Sequence, residues 1–174
     1  MNKYQNDPNN LILTGDYLKA ERIIKKRLEI EPTNHWLITQ LASIKYEEKK
    51  YSESLRIIKS AHKLAPECPL VNWHYGCILN MLNKHKEAIK IWKKIAKSDV
   101  NKIAYEECGE GLPWARSLIN DCYFMIGIAY NLLSNRKSAL RYLNNHVDNR
   151  LKNIKSIYHL KYVKRKIKDI EGGV

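Results

Sequence analysis

The sequence predicts an all-α protein on three observations. Gly and Pro number only 7 and 5 in 174 residues, which is too few for a loop-rich chain. Phe, Val and Thr are too sparse for an all-β one. Polar breaks also return at a fixed interval of 34 residues. Hydrophobic residues at 44% and charged residues at 28% exclude wholesale disorder, and the length suits one domain with a real core.

The repeat orders the rest. Gly15, Lys49 and Asn83 mark the breaks. Two residues later stand Tyr17, Tyr51 and His85, then after three the small Ala20, Ser54 and Ala88, then after four the bulky Ile24, Ile58 and Trp92. Pro32 and Pro66 close the first two units, with Val100 in the third, and Leu41-Ala42 recurs as Tyr75-Gly76. Proline fits a helix end because it lacks the donor that a helix interior needs.

This pattern resembles the tetratricopeptide repeat (TPR) family. The resemblance implies antiparallel helix pairs stacked as a right-handed α-solenoid, with small residues where paired helices approach closely. Restoring the register after Lys102 requires an insertion of about seventeen residues. The expected layout is a single domain with repeats at about 1–34, 35–68, 69–102 and 120–153, an insertion at 103–119 and a capping helix at 154–171. Pro8 and Arg27 depart from the family pattern, so the first helix should be short and begin after Pro8. In the fourth unit Tyr123, Ile126, Gly127 and Tyr130 precede a turn at Ser134 and Asn135. Ala139 and Leu143 follow it, and His146 stands where a small residue would be normal.

Within the insertion, Pro113 suits the first turn of a helix. Trp114, Ala115, Leu118, Cys122, Met125, Ile126 and Ala129 continue from it at threes and fours, so the fourth unit's first helix should extend back to about Pro113. The Gly109-Glu110-Gly111 segment lacks the lysine and the preceding strand of a phosphate-binding loop, and its glutamates repel phosphate. It reads as a chain turn. In the expected cap, Ile157, Leu160, Val163, Ile167 and Ile170 form an apolar stripe opposite Arg150, Lys152, Lys155, Lys161, Lys164, Arg165, Lys166 and Lys168.

The family register assigns a concave groove to Trp36, Thr39, Ser43 and Tyr46, with Glu47 beside them. Leu70, Trp73, Cys77, Asn80 and Met81 continue it, and Asp121, Phe124, Ile128, Asn131 and Leu132 complete it. Mostly apolar and aromatic, such a groove suits a peptide or amphipathic helix of a partner protein. Coverage by the chain's own N-terminal segment, insertion or cap helix satisfies the same physics, as does self-association. One TPR subclass grips acidic tails through basic groove residues. The matching places here are Gln5, Asn9, Thr39, Ser43, Trp73 and Cys77, none of them basic, which argues against that mode.

The formal charge of +13, from 31 Lys and Arg against 18 Asp and Glu, supports a second reading: a basic helical protein binding nucleic acid or another polyanion through Lys161, Lys164, Arg165, Lys166 and Lys168. Lys outnumbers Arg by 23 to 8, which weakens it, because nucleic-acid readers favour the planar guanidinium. Catalysis is not expected, and neither is a cofactor. Cys68, His74 and Cys77 match no common zinc spacing. The four cysteines form no CxxC pair and no leader is evident, so a cytoplasmic protein is expected. The longest apolar run, from Cys122 to Tyr130, is too short to span a bilayer.

Overall fold

The computed structural model describes residues 7–172, and among them it contains ten helices and no strand. The first six residues of the expected first repeat lie outside the described part. Contacts divide the chain into two compact units, Met1–Leu82 and Asn83–Val174. The first holds α1 (Pro8–Leu13), α2 (Tyr17–Ile30), α3 (His35–Glu47), α4 (Tyr51–Leu64) and α5 (Pro69–Met81). The second holds α6 (His85–Lys97), α7 (Val100–Tyr105), α8 (Leu112–Leu132), α9 (Arg136–Leu151) and α10 (Leu160–Gly172). None of these helices is long and apolar enough to cross a membrane.

The sequence period has a backbone cause. Gly15, Lys49 and Asn83 all adopt left-handed φ values, of 82°, 61° and 59°. Ser134 does so at 57°, 51 residues after Asn83, which is one period plus the seventeen-residue insertion. At three of these turns the next amide reaches back to the carbonyl five residues earlier: Asp16 N–H to Leu11 O, Lys50 N–H to Lys45 O and Asn135 N–H to Tyr130 O, at 2.8–2.9 Å. This closure satisfies carbonyls that a helix end otherwise leaves unpaired. The following helix starts at once, with Asp16 and Asn135 side chains accepting from the Lys19 and Ser138 amides.

The small positions behave as the repeat implies. Ala20, Ser54, Ala88 and Ala139 are completely buried, as are their bulky followers Ile24, Ile58, Trp92 and Leu143. The Ser54 hydroxyl donates to Ala42 O at 2.7 Å, joining α4 to α3. At Gly127 a Cβ would lie 2.7 Å from Leu143 Cγ, so only hydrogen leaves room for α9 against α8. In the first unit Lys45, almost wholly buried, holds Glu21 of α2 at 2.8 Å and Glu48 at 3.1 Å.

Three features of the insertion and cap refine the sequence reading. Helix α8 does extend back, starting at Leu112 with Pro113 in its first turn. Residues 100–105 form the short α7, capped by Asp99, whose carboxylate accepts from the Asn101 and Lys102 amides. The cap helix begins at Leu160 rather than at 154. Asn153, left-handed at φ 63°, ends α9, and the segment after it is tied to α8 by side chains instead of coiling.

Two stability outcomes follow. Ser134→Gly removes the strain of a side chain at positive φ and should stabilise the fold by about 0.5–1 kcal/mol, seen as a raised melting temperature. Gly127→Ala should destabilise it by roughly 1–3 kcal/mol, because Leu143 is enclosed and cannot step aside freely; chemical denaturation of the two variants measures both signs.

Candidate partner-binding surfaces

In the first unit α3 packs beside α5. Steps of three and four residues set Trp36, Ser43 and Tyr46 along α3, with Leu70, Trp73, Cys77, Asn80 and Met81 along α5. All are half-buried except Met81, which is 42% exposed. Ser43 Oγ and His74 Nδ1 lie 2.9 Å apart and join the two helices. Burial holds the His74 imidazole down at about 4, so it is neutral at ordinary pH. Burial also pushes the Cys77 thiol and the Tyr46 phenol up to about 12, which leaves Cys77 an inert thiol in an apolar setting. Tyr46 packs edge-on to Tyr51 with ring centroids 5.5 Å apart.

Thr39 does not belong to this face. It is 1% exposed, and its hydroxyl donates to His35 O at 2.7 Å within α3, so it offers nothing to a ligand. Of the positions matched to the acidic-tail subclass, Gln5 lies outside the described residues. Asn9 accepts a hydrogen bond from Gln40 Nε2.

In the second unit the structure removes Phe124 from the groove. It is 4% exposed, stacked under Tyr158 at 3.9 Å between centroids, and clustered with Val163, Ile167 and Ile170 of α10. The chain's own C-terminal segment therefore fills that face, one of the alternatives the sequence left open. Ile128 packs partly against the same cluster, while Asn131 and Leu132 remain exposed.

What pins the segment is polar. The Ser156 hydroxyl donates to Asp121 Oδ1 at 2.5 Å, Ser156 Oγ accepts from the Tyr158 amide at 2.9 Å, and the Tyr158 hydroxyl donates to Met125 Sδ at 3.0 Å. Burial raises the Asp121 carboxyl to about 6, against the opposing pull of the Ser156 and Ile157 hydrogen bonds. His146 is fully buried, where the family pattern expects a small residue. Its Nδ1–H donates to Asn120 O at 2.9 Å, and its ring lies 5.7 Å from that of Phe124. Nothing in helical periodicity announces Ser156 or Tyr158, which lie between helices.

The basic residues divide by environment. Lys161, Lys164, Arg165 and Lys168 of α10 are exposed and, with His159, Leu160 and Tyr162, border an open cleft of about 990 Å³. Lys166 is half-buried and sits 5.7 Å from the centre of the Tyr162 ring. On α6, Lys93 donates to the Tyr130 hydroxyl at 2.7 Å and lies over the Tyr130 and Tyr142 rings. In the insertion, Gly109 N–H donates to Glu106 O and Gly111 N–H to Ala104 O, so the loop is a closed turn with these amides committed internally. A Cβ at Gly109 would meet Ala104 O at 2.3 Å. Glu106 faces Lys102 at 3.8 Å, and Glu107 and Glu110 are exposed.

This is a helical-repeat fold of the TPR type. Solved structures with the same fold include MamA from MSR-1, at 16% identity and a TM-score of 0.60, covering 84% of this chain and 74% of that one. MamA 41-end from Desulfovibrio magneticus RS-1 is similar at 14% identity and a TM-score of 0.64, covering 98% and 94%. A tetratricopeptide repeat protein from Parabacteroides merdae is similar at 16% identity and a TM-score of 0.65, covering 95% of this chain and 58% of that protein. No family model matches the sequence, and neither does any curated protein.

The half-buried His74 gives a pH signature. Its imidazole titrates at about 4 in the fold against 6.5 unperturbed, so between these values the unfolded chain binds a proton that the folded one refuses. Its contribution is intact above about pH 6.5 and is lost as the pH falls toward 4. Asp121, raised to about 6, has the opposite sign, because the folded state takes up its proton first. Thermal melts should therefore show a shallower loss below neutrality for His74→Asn than for the wild type. Asp121 is common to both proteins and cancels, and parallel slopes would contradict the assignment to His74.

Proposed function

We propose that this protein is a non-enzymatic interaction scaffold that holds an apolar peptide or amphipathic helix of a partner protein against the α3–α5 face. The observation that carries the reading is the alignment of two half-buried tryptophans, Trp36 and Trp73, with Leu70 and the exposed Met81 on adjacent helices. Large rings held in place lose little entropy on binding and present much apolar area, which is why such residues dominate interface energetics. Ser43, already paired with His74, and Asn80 lie at the polar positions between them. Phe124 takes no part, and Thr39 acts only within its helix. The TPR-type fold of the similar structures supports the scaffold reading. The cysteines at 68, 77, 108 and 122 form no CxxC pair, which suits a reducing cytoplasm.

The test is selection of peptides from a displayed random library against the whole protein. Selected sequences should carry apolar anchors and should lose about tenfold or more in affinity for Trp73→Ala and for Met81→Glu. Met81 is exposed, so its variant retains the wild-type melting temperature and separates lost contacts from lost folding. Peptides bound equally by wild type and Met81→Glu would refute this face as the site.

A further inference from the structure

Helix α10 has two faces with different roles. Val163, Ile167 and Ile170 are buried in the core of the second unit, where they help to cover the apolar surface of α8 and α9. A cap needs its outer face to be polar, which mixed charges would satisfy. Instead residues 161–168 carry five cations, and the two carboxylates of α10, Asp169 and Glu171, both follow them. Like charges three and four residues apart on a helix repel, so this stripe costs helix stability. Lys161, Lys164, Arg165 and Lys168 follow steps of three, one and three, and none pairs with a carboxylate among the described residues. Between them lie the half-buried Leu160 and Tyr162, which is 39% exposed, with Arg165 5.5 Å from its ring centre. With His159, these six residues border an open cleft of about 990 Å³.

We infer that the outer face of α10 is a second docking site, for an acidic amphipathic segment of a partner protein. Its carboxylates meet Lys161, Lys164, Arg165 and Lys168 while an apolar or aromatic side chain rests on Leu160 and Tyr162. Charge complementarity selects the occupant: four exposed cations without a carboxylate partner among the described residues, on a chain of net charge +13, attract and steer an acidic segment. The apolar surface between the cations selects a peptide over a nucleic acid. A phosphate backbone supplies no aliphatic anchor to rest on Leu160. This surface is separate from the α3–α5 face and extends the scaffold reading without depending on it.

Fluorescence anisotropy of the full chain at physiological salt tests the inference with four labelled probes. These are a four-turn peptide with glutamates on one face and Leu and Phe beside them, the same peptide with Leu and Phe replaced by Ser, polyglutamate of equal charge, and a single-stranded oligonucleotide. The amphipathic acidic peptide should bind best. Its affinity should fall about tenfold for K164E/R165E and for the Ser-substituted probe, and should not change for Trp73→Ala. Both reversed residues are exposed, so helicity by circular dichroism should remain as in the wild type. Absence of binding, indifference to the charge reversal, equal binding of polyglutamate or tighter binding of the oligonucleotide would each overturn it. Loss of binding in Trp73→Ala would merge this site with the α3–α5 face and overturn its independence.

Discussion

The structure depends on how closely two helices of a pair can approach. Contact at Ala20, Ser54 and Ala139 requires side chains small enough to bring backbones together, and it fixes which residue four positions later must fill the space beyond. The same approach demands a chain reversal of very few residues, and a left-handed residue at the end of the first helix provides it. Gly15 pays little for that conformation, whereas Lys49 and Ser134 are held there against their preference by the pairing on either side. Period, turn and packing are thus one constraint seen at three levels.

That constraint made the architecture legible. The recurrence of Gly15, Lys49 and Asn83 locates the turns, and the offset of about seventeen residues carries the same mark to Ser134. Pro113 likewise announced the start of the long α8. The cap boundary was less legible. Ile157 continued an apolar spacing that runs into α10, yet Asn153 turns the chain at positive φ and residues up to His159 are organised by Asp121 rather than by helical bonds. A hydrogen bond between residues 35 apart leaves no periodic trace in a sequence.

The surfaces were legible only in part, for a similar reason. A register names which residues lie on a helix face, and it named Trp36, Trp73 and Phe124 alike. It does not report what else arrives there. Phe124 and Trp73 occupy comparable register positions, but Tyr158 stacks on the phenylalanine. Thr39 shows the complementary limit: a hydroxyl expected to serve a ligand is spent on the carbonyl one turn earlier, a common fate for threonine inside a helix.

The burial of Asp121 shows why the C-terminal segment is more than a lid of apolar side chains. A carboxylate in that setting is costly unless donors reach it, and the Ser156 hydroxyl and the Ile157 amide are those donors. Removing the segment would expose Phe124 and strip Asp121 of its partners at the same time, so apolar and polar requirements favour the same placement. Once that placement is fixed, the helical spacing of α10 turns Val163, Ile167 and Ile170 inward and carries the lysine stripe outward. The basic face is therefore presented from a helix whose inner side is already satisfied, and a partner can meet its cations without competing for the contacts that hold the unit together.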